Sequence, residues 1–199
     1  MGTDIYLFAE EQRVDGWHFL GEMEPNEEPM TESEEIEPAW RPVGLDVGRN
    51  RALFHLLGFD GHGAHEAERL PMIAPLRGLP ANLSPEIQAW RRYFDEDNPP
   101  GGWLLLKEIL AFPWDRARRK EAMVSQRVAP LFAPDKPFPY GQWPADERLS
   151  YSAYHRDGAT VQWTETYRES AGSFLTDIAV PLSQRHPLSV IRFVFWFCS

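Results

Sequence analysis

Thr3-Asp4-Ile5-Tyr6-Leu7-Phe8-Ala9-Glu10 and Ile191-Arg192-Phe193-Val194-Phe195-Trp196-Phe197-Cys198 lie at opposite ends of the chain, and their reading decides the fold. The first alternates, with Thr3, Ile5, Leu7 and Ala9 on one face and Asp4, Tyr6, Phe8 and Glu10 on the other, the period of a strand. The second is apolar on both faces apart from Arg192, which suits a strand covered on two sides at the centre of a sheet. Apolar strands at both ends belong to one core, so a single sheet is expected to join the two ends. The same reading leaves one carboxylate, Asp4, in an apolar run where a charge is costly.

Working inward, residues 3–10 and 17–20 flank Asp15-Gly16 and read as a β-hairpin. Residues 49–57 place Leu53, Phe54, Leu56 and Leu57 on one helical face, with Gly58 as the stop. Ser84-Pro85-Glu86 combines a capping hydroxyl, a first-turn proline and an acid at the positive dipole end, so a helix is expected from there to about residue 94. Residues 103–112 read as a mostly buried helix ended by Pro113. Residues 114–129 fit either a basic helix or a short strand over 123–129, and the helix is preferred. A second hairpin is expected from residues 149–155 and 159–168 around Asp157-Gly158, and a helix over 172–182 limited by Pro181. The expected fold is α+β: one mainly antiparallel sheet of N-terminal and C-terminal strands, packed by three to five helices from the middle of the chain. It reads as a single domain over 1–199, with an acidic Pro/Glu-rich loop at 22–42.

The composition, 43% hydrophobic and 13% aromatic in 199 residues, is that of a chain able to bury a core without disulfide staples. The net charge of -10 is local, because residues 22–37 hold eight Glu and neither Lys nor Arg. Arg116, Arg118, Arg119 and Lys120 form the one strong basic cluster and read as a solvated face. Nothing resembles a phosphate-neutralising surface, which argues against a nucleic-acid partner. The single cysteine points to a reducing compartment. The start lacks the pattern of a signal peptide, and the final apolar run is about half the ~20 residues that span a bilayer. A cytoplasmic protein with no membrane partner is expected.

The order of motifs resembles a family of phage and bacterial proteins of uncharacterised activity. The resemblance rests on residues 1–6, 49–54, 75–80 and 103–110, on Tyr167-Arg168, and on the terminal strand 191–199. It covers most of the chain and implies fold more than activity. Where that family carries Cys and His near its start, Thr3 and Tyr6 stand here, while Asp4 is kept; where it ends in Asp, Cys198 stands here. A Cys-His reaction or a metal at that position would lack its thiolate and its imidazole in this chain.

Two carboxylates fall on apolar strand faces: Asp4 beside Tyr6 and Phe8, and Glu165 between Trp163 and Tyr167. Desolvation would raise their pKa values and fit them for acid/base work, with Arg168 or Arg192 as charge partners; the alternative is a structural ion pair. The catalytic candidates are thus Asp4, Glu165 and Tyr167, and the ligand-binding candidates Tyr6, Arg49, Arg77 and Arg168. Arg77 sits in the stiff loop 75–80, able to fork onto an anion or to brace carbonyls. Asp60, His62, His65 and Glu66 gather potential metal ligands, but their spacing matches no zinc pattern, so no metal and no cofactor is expected. The leading functional expectation is a non-enzymatic accessory protein that binds a basic macromolecular partner through residues 22–37. The alternative is an enzyme acting on a small molecule or nucleotide with carboxylates at the sheet. A third reading is a chemically reduced member of a catalytic family.

Overall fold

The computed structural model describes residues 3–26, 38–59, 70–92, 101–151 and 156–198. Its strands are β1 (Asp4–Arg13), β2 (Gly16–Phe19), β3 (Met23–Pro25), β4 (Trp40–Pro42), β5 (Gly101–Leu105), β6 (Ala117–Ser125), β7 (Gly158–Thr166) and β8 (Ile191–Cys198). The helices are α1 (Arg51–Leu56), α2 (Pro85–Arg92), α3 (Leu106–Ala111), α4 (Tyr167–Ser170) and α5 (Val180–Arg185), with a π-helical turn over Phe174–Ala179 before α5. The chain divides into two compact units, Met1–Phe112 with Gly172–Ser199, and Pro113–Ala171.

In the first unit the two ends of the chain do pair. β1 runs antiparallel to β8, from Asp4 opposite Cys198 to Glu11 opposite Ile191, within a four-stranded sheet of order β2-β1-β8-β5. The class is α+β, as the end strands imply. Because β8 is flanked by β1 and β5, all of its residues but Cys198 are buried. One sheet face carries Phe8 and Trp196, which pack with Ile87 and Trp90 of α2. On the other face Phe197 meets Phe54 of α1, with ring centroids 5.6 Å apart, and Phe193 meets Phe174 of the π-helical turn at 5.7 Å. The α1 boundaries follow the sequence: Asn50 Oδ1 accepts from the Leu53 N–H, and Gly58 at φ 104° ends the helix.

Several local expectations are corrected. The first hairpin turns at Val14-Asp15, one residue early, since Arg13 pairs with Gly16. Residues 101–105 form β5 rather than the start of a helix, so the helix of this region begins only at Leu106. A run of leucines has no period to distinguish the two states, and the open edge of β8 supplies the backbone partners that decide it. Gly101 permits that approach, because a Cβ there would lie 2.6 Å from the Phe195 carbonyl oxygen. Gly101→Ala is accordingly expected to cost about 1–3 kcal/mol in urea denaturation; a loss below about 0.5 kcal/mol would show that β5 docks otherwise.

α2 starts where Ser84-Pro85-Glu86 places it, but the hydroxyl does not cap it. Ser84 Oγ is buried without a hydrogen-bond partner among the described residues, and the Ser84 N–H instead donates to Glu10 Oε1 at 2.6 Å. Pro181 lies in the first turn of α5 rather than at a helix end. A proline lacks the N–H and crowds the carbonyl four residues back, and the chain meets this by widening into the π-helical turn just before it.

The second unit is built on an antiparallel pair, β6 with β7, in register from Ala117 opposite Thr166 to Ser125 opposite Gly158. The helix preferred for 114–129 is therefore wrong, and the strand is longer and earlier than the alternative reading of 123–129. Arg118, Lys120, Ala122 and Val124 alternate inward with period two, and the positive charges among them are balanced by Glu165, directly opposite Arg118. The partner of β7 is thus β6, not 149–155 as in the expected hairpin; residues 152–155 lie outside the described residues. Val124, Val128, Phe138, Val161 and Trp163 form this unit's core.

Candidate functional site

Three of the residues singled out from sequence meet in one place. Residues 43–49 run irregularly beside the first strand, where the Leu45 N–H donates to the Leu7 carbonyl at 2.8 Å and the Gly48 N–H to Asp46 Oδ1 at 2.9 Å. This path brings Arg49 onto Asp4, with Nε 2.7 Å from Oδ1 and Nη2 3.0 Å from Oδ2. Beside the pair opens a cleft of about 360 Å³ whose lining includes Asp4, Tyr6, Arg41, Asp46, Arg49 and Trp90. The Tyr6 ring is fixed there by stacking on Trp196, at 5.5 Å and 24°. Burial, with Cys198 and Asp4 adding to it and Arg41 opposing, pushes the Tyr6 phenol up.

Asp4 itself is not the desolvated carboxylate the sequence pointed to. As the first residue of β1 it is exposed, and the hydrogen bond from the Arg49 guanidinium holds its carboxyl below the usual range. The buried carboxylate is Glu10, six residues along the same face, with no exposure at all. It accepts from Arg192 Nε at 2.6 Å, while Arg192 also donates to Asn82 Oδ1 at 2.9 Å and to the Asn82 carbonyl at 2.7 Å. Trp17 covers the Arg192 guanidinium at 3.9 Å. Burial pulls the Arg192 pKa down and the Glu10 carboxylate opposes the pull. The signal was in the alternation, because Glu10 shares the Tyr6–Phe8 face and Arg192 is the one charge of β8.

Glu165 and Tyr167 belong to the second unit, and Asp4 to the first. The Glu165 side chain is 13% exposed and is held by Arg118 Nη2 at 2.8 Å, Lys120 Nζ at 3.3 Å, Ser170 Oγ at 2.6 Å and Trp163 Nε1 at 3.2 Å. Burial alone would raise its pKa, but the Ser170 hydrogen bond, the Lys120 and Arg118 charges and the Trp163 N–H together hold it below the ordinary value, the reverse of the sequence expectation. Tyr167 is buried at the start of α4, its N–H donating to the Arg116 carbonyl at 3.3 Å.

Arg168 forks onto Asp115 at 2.9 and 3.3 Å. Arg77 forks onto Glu108 and lies 4.7 Å over Trp103, while Glu108 also accepts from the Leu105 N–H at the start of α3. Both arginines act as braces. The residues 60–66 weighed as metal ligands lie outside the described residues, and among the described residues no group of three His, Cys, Asp or Glu is placed to hold a metal ion. No described helix is long and apolar enough to cross a membrane.

The acidic stretch 22–37 has its described ends in a two-stranded ribbon. β3 and β4 pair Met23 with Pro42, Glu24 with Arg41 and Pro25 with Trp40, and the Asn26 N–H donates to the Ala39 carbonyl at 3.0 Å. Asn26 and Ala39 are therefore held side by side at the end of the ribbon; residues 27–37 lie outside the described residues. Alternation puts Glu24 and Arg41 on the cleft side, joined at 2.7 Å. It puts Met23, Pro25, Trp40 and Pro42 on the other side, where Trp40 is 55% exposed while Pro42 is buried and also reaches the cleft lining. Arg41, Asp46 and Trp40 lie in segments without a hydrophobic period, and sequence reasoning did not single them out.

Comparison with protein-family models, with curated proteins and with solved structures finds no match.

Proposed function

We propose that the protein is a non-catalytic accessory protein of the phage-like kind its motifs resemble, acting in the cytoplasm by binding a basic protein surface. The observation that carries the reading is the β3–β4 ribbon. It presents an exposed indole and thioether next in sequence to a stretch, 22–37, with eight Glu and no Lys or Arg. Aromatic and methionine side chains anchor interfaces, and concentrated charge of one sign steers a partner of the other. The former acid/base candidates also favour binding over catalysis. Asp4 and Glu165 are both held below the ordinary carboxylate range, so near neutrality they are ionised acceptors rather than groups poised to exchange a proton.

The test uses the partner captured from host lysate, then purified and titrated calorimetrically. Trp40→Ala should weaken it about tenfold or more, and replacing the eight Glu by Gln should weaken it and flatten its salt dependence. Both variants should keep the wild-type melting temperature within a few degrees. Unaltered affinity in both would overturn the reading.

A further inference from the structure

The cleft beside Tyr6 holds cationic donors that the fold orients and then leaves unused. Glu24 Oε1 takes the Arg41 Nε–H at 2.7 Å, and no described residue takes the hydrogens on Nη1 or Nη2. Asp4 takes the Nε and Nη2 side of Arg49, and Nη1 is again unclaimed among the described residues. A carboxylate behind each guanidinium restrains it while its outer edge stays available, which is how a fork is pre-organised for an incoming oxyanion.

The same walls carry acceptors. Asp46 spends Oδ1 on the Gly48 N–H, and its Oδ2 is unclaimed by any described residue, as is Glu24 Oε2. Three carboxylates and two guanidiniums thus line the cleft, for a balance of one negative charge. That balance disfavours a dianion such as a phosphate monoester, because a second negative charge would meet Asp4, Glu24 and Asp46 uncompensated. It favours a ligand with one oxyanion for Arg41 and one cation for the acidic wall. The volume of about 360 Å³ lies at the small end of ligand pockets, and Ile5, Tyr6 and Val43 supply an apolar wall.

We infer that this cleft binds a small zwitterion of amino-acid type, its carboxylate on the outer edge of Arg41 and its ammonium on Asp46 and Glu24. The cleft uses the opposite side of the ribbon from Trp40, and it shares Glu24 with the acidic segment assigned to the partner.

Calorimetric titration of the full chain tests it with the set of L-amino acids, the matching acids lacking the amine, the matching amines lacking the carboxylate, and inorganic phosphate. At least one amino acid should bind with a Kd below about 1 mM, with its matched acid, its matched amine and phosphate each about tenfold weaker or more. Arg41→Gln should weaken the amino acid about tenfold, Arg41→Lys should fail to restore it, and Asp46→Asn should weaken it while sparing the matched acid. Each variant's melting temperature, unchanged within a few degrees, separates loss of the site from loss of fold, and Asp46→Asn, outside the ribbon, should also leave capture of the macromolecular partner unchanged. No amino-acid binding up to about 10 mM, phosphate or the bare acid binding as tightly, or indifference to Arg41→Gln would each overturn the proposal.

Discussion

Arg192→Met is expected to destabilise the first unit by about 3–5 kcal/mol in denaturant unfolding, the largest effect of any single change considered. The reason is what it strands. Glu10 has no solvent exposure, and without Arg192 its carboxylate keeps, among the described residues, only the Ser84 N–H at 2.6 Å. The pair also ties β1, β8 and the loop before α2 together, because Arg192 reaches both Asn82 Oδ1 and the Asn82 carbonyl. Removing both charges should cost far less than removing one: Glu10→Leu with Arg192→Met should recover most of the loss, since the desolvation of the two ions then vanishes with their attraction. A single variant within about 1 kcal/mol of wild type would mean that water reaches Glu10.

Glu165→Gln should cost about 1.5–3 kcal/mol, and its signature is in the pH dependence. The substitution keeps the shape but leaves Arg118 and Lys120, whose side chains are 16% and 26% exposed, without their shared anion. The folded pKa of Glu165 lies below its unfolded value, so the stabilisation is complete above the ordinary glutamate range near about 4.3 and is lost as pH falls through the lowered folded value. The gap between wild type and variant should therefore be widest near neutrality and close on acidification. A gap that grows on acidification would reverse the assigned sign.

The sequence announced the parts of the fold that rest on local chemistry or on unbroken apolarity. The central place of β8 follows from its two apolar faces, the end of α1 from Gly58, and the start of α2 from Pro85. The parts it hid depend on distant partners. β5 becomes a strand because β8 has an open edge, and β6 becomes one because Glu165, 47 positions away, neutralises the inward Arg118. Seen alone, Arg118-Arg119-Lys120 reads as a solvated helix face. The candidate site divides along the same line. Asp4 and Tyr6 are marked by their apolar run and Arg49 by the start of an apolar-faced helix, whereas Arg41 and Asp46 enter through β4 and an irregular segment. Glu10 reads from the sequence as the polar end of the apolar run, and only its place on the Tyr6–Phe8 face signals its burial.

The central claim, that the ribbon is the partner surface, is tested most directly by site-specific photo-cross-linking inside host cells. A photoreactive residue in place of Trp40 is compared with one in place of Val14, which is fully exposed at the tip of the β1–β2 hairpin. The account predicts one dominant adduct of defined mass from position 40, lost when the eight Glu of residues 22–37 are replaced by Gln, and no such adduct from position 14. Equal labelling from both positions, or none from position 40, would contradict it.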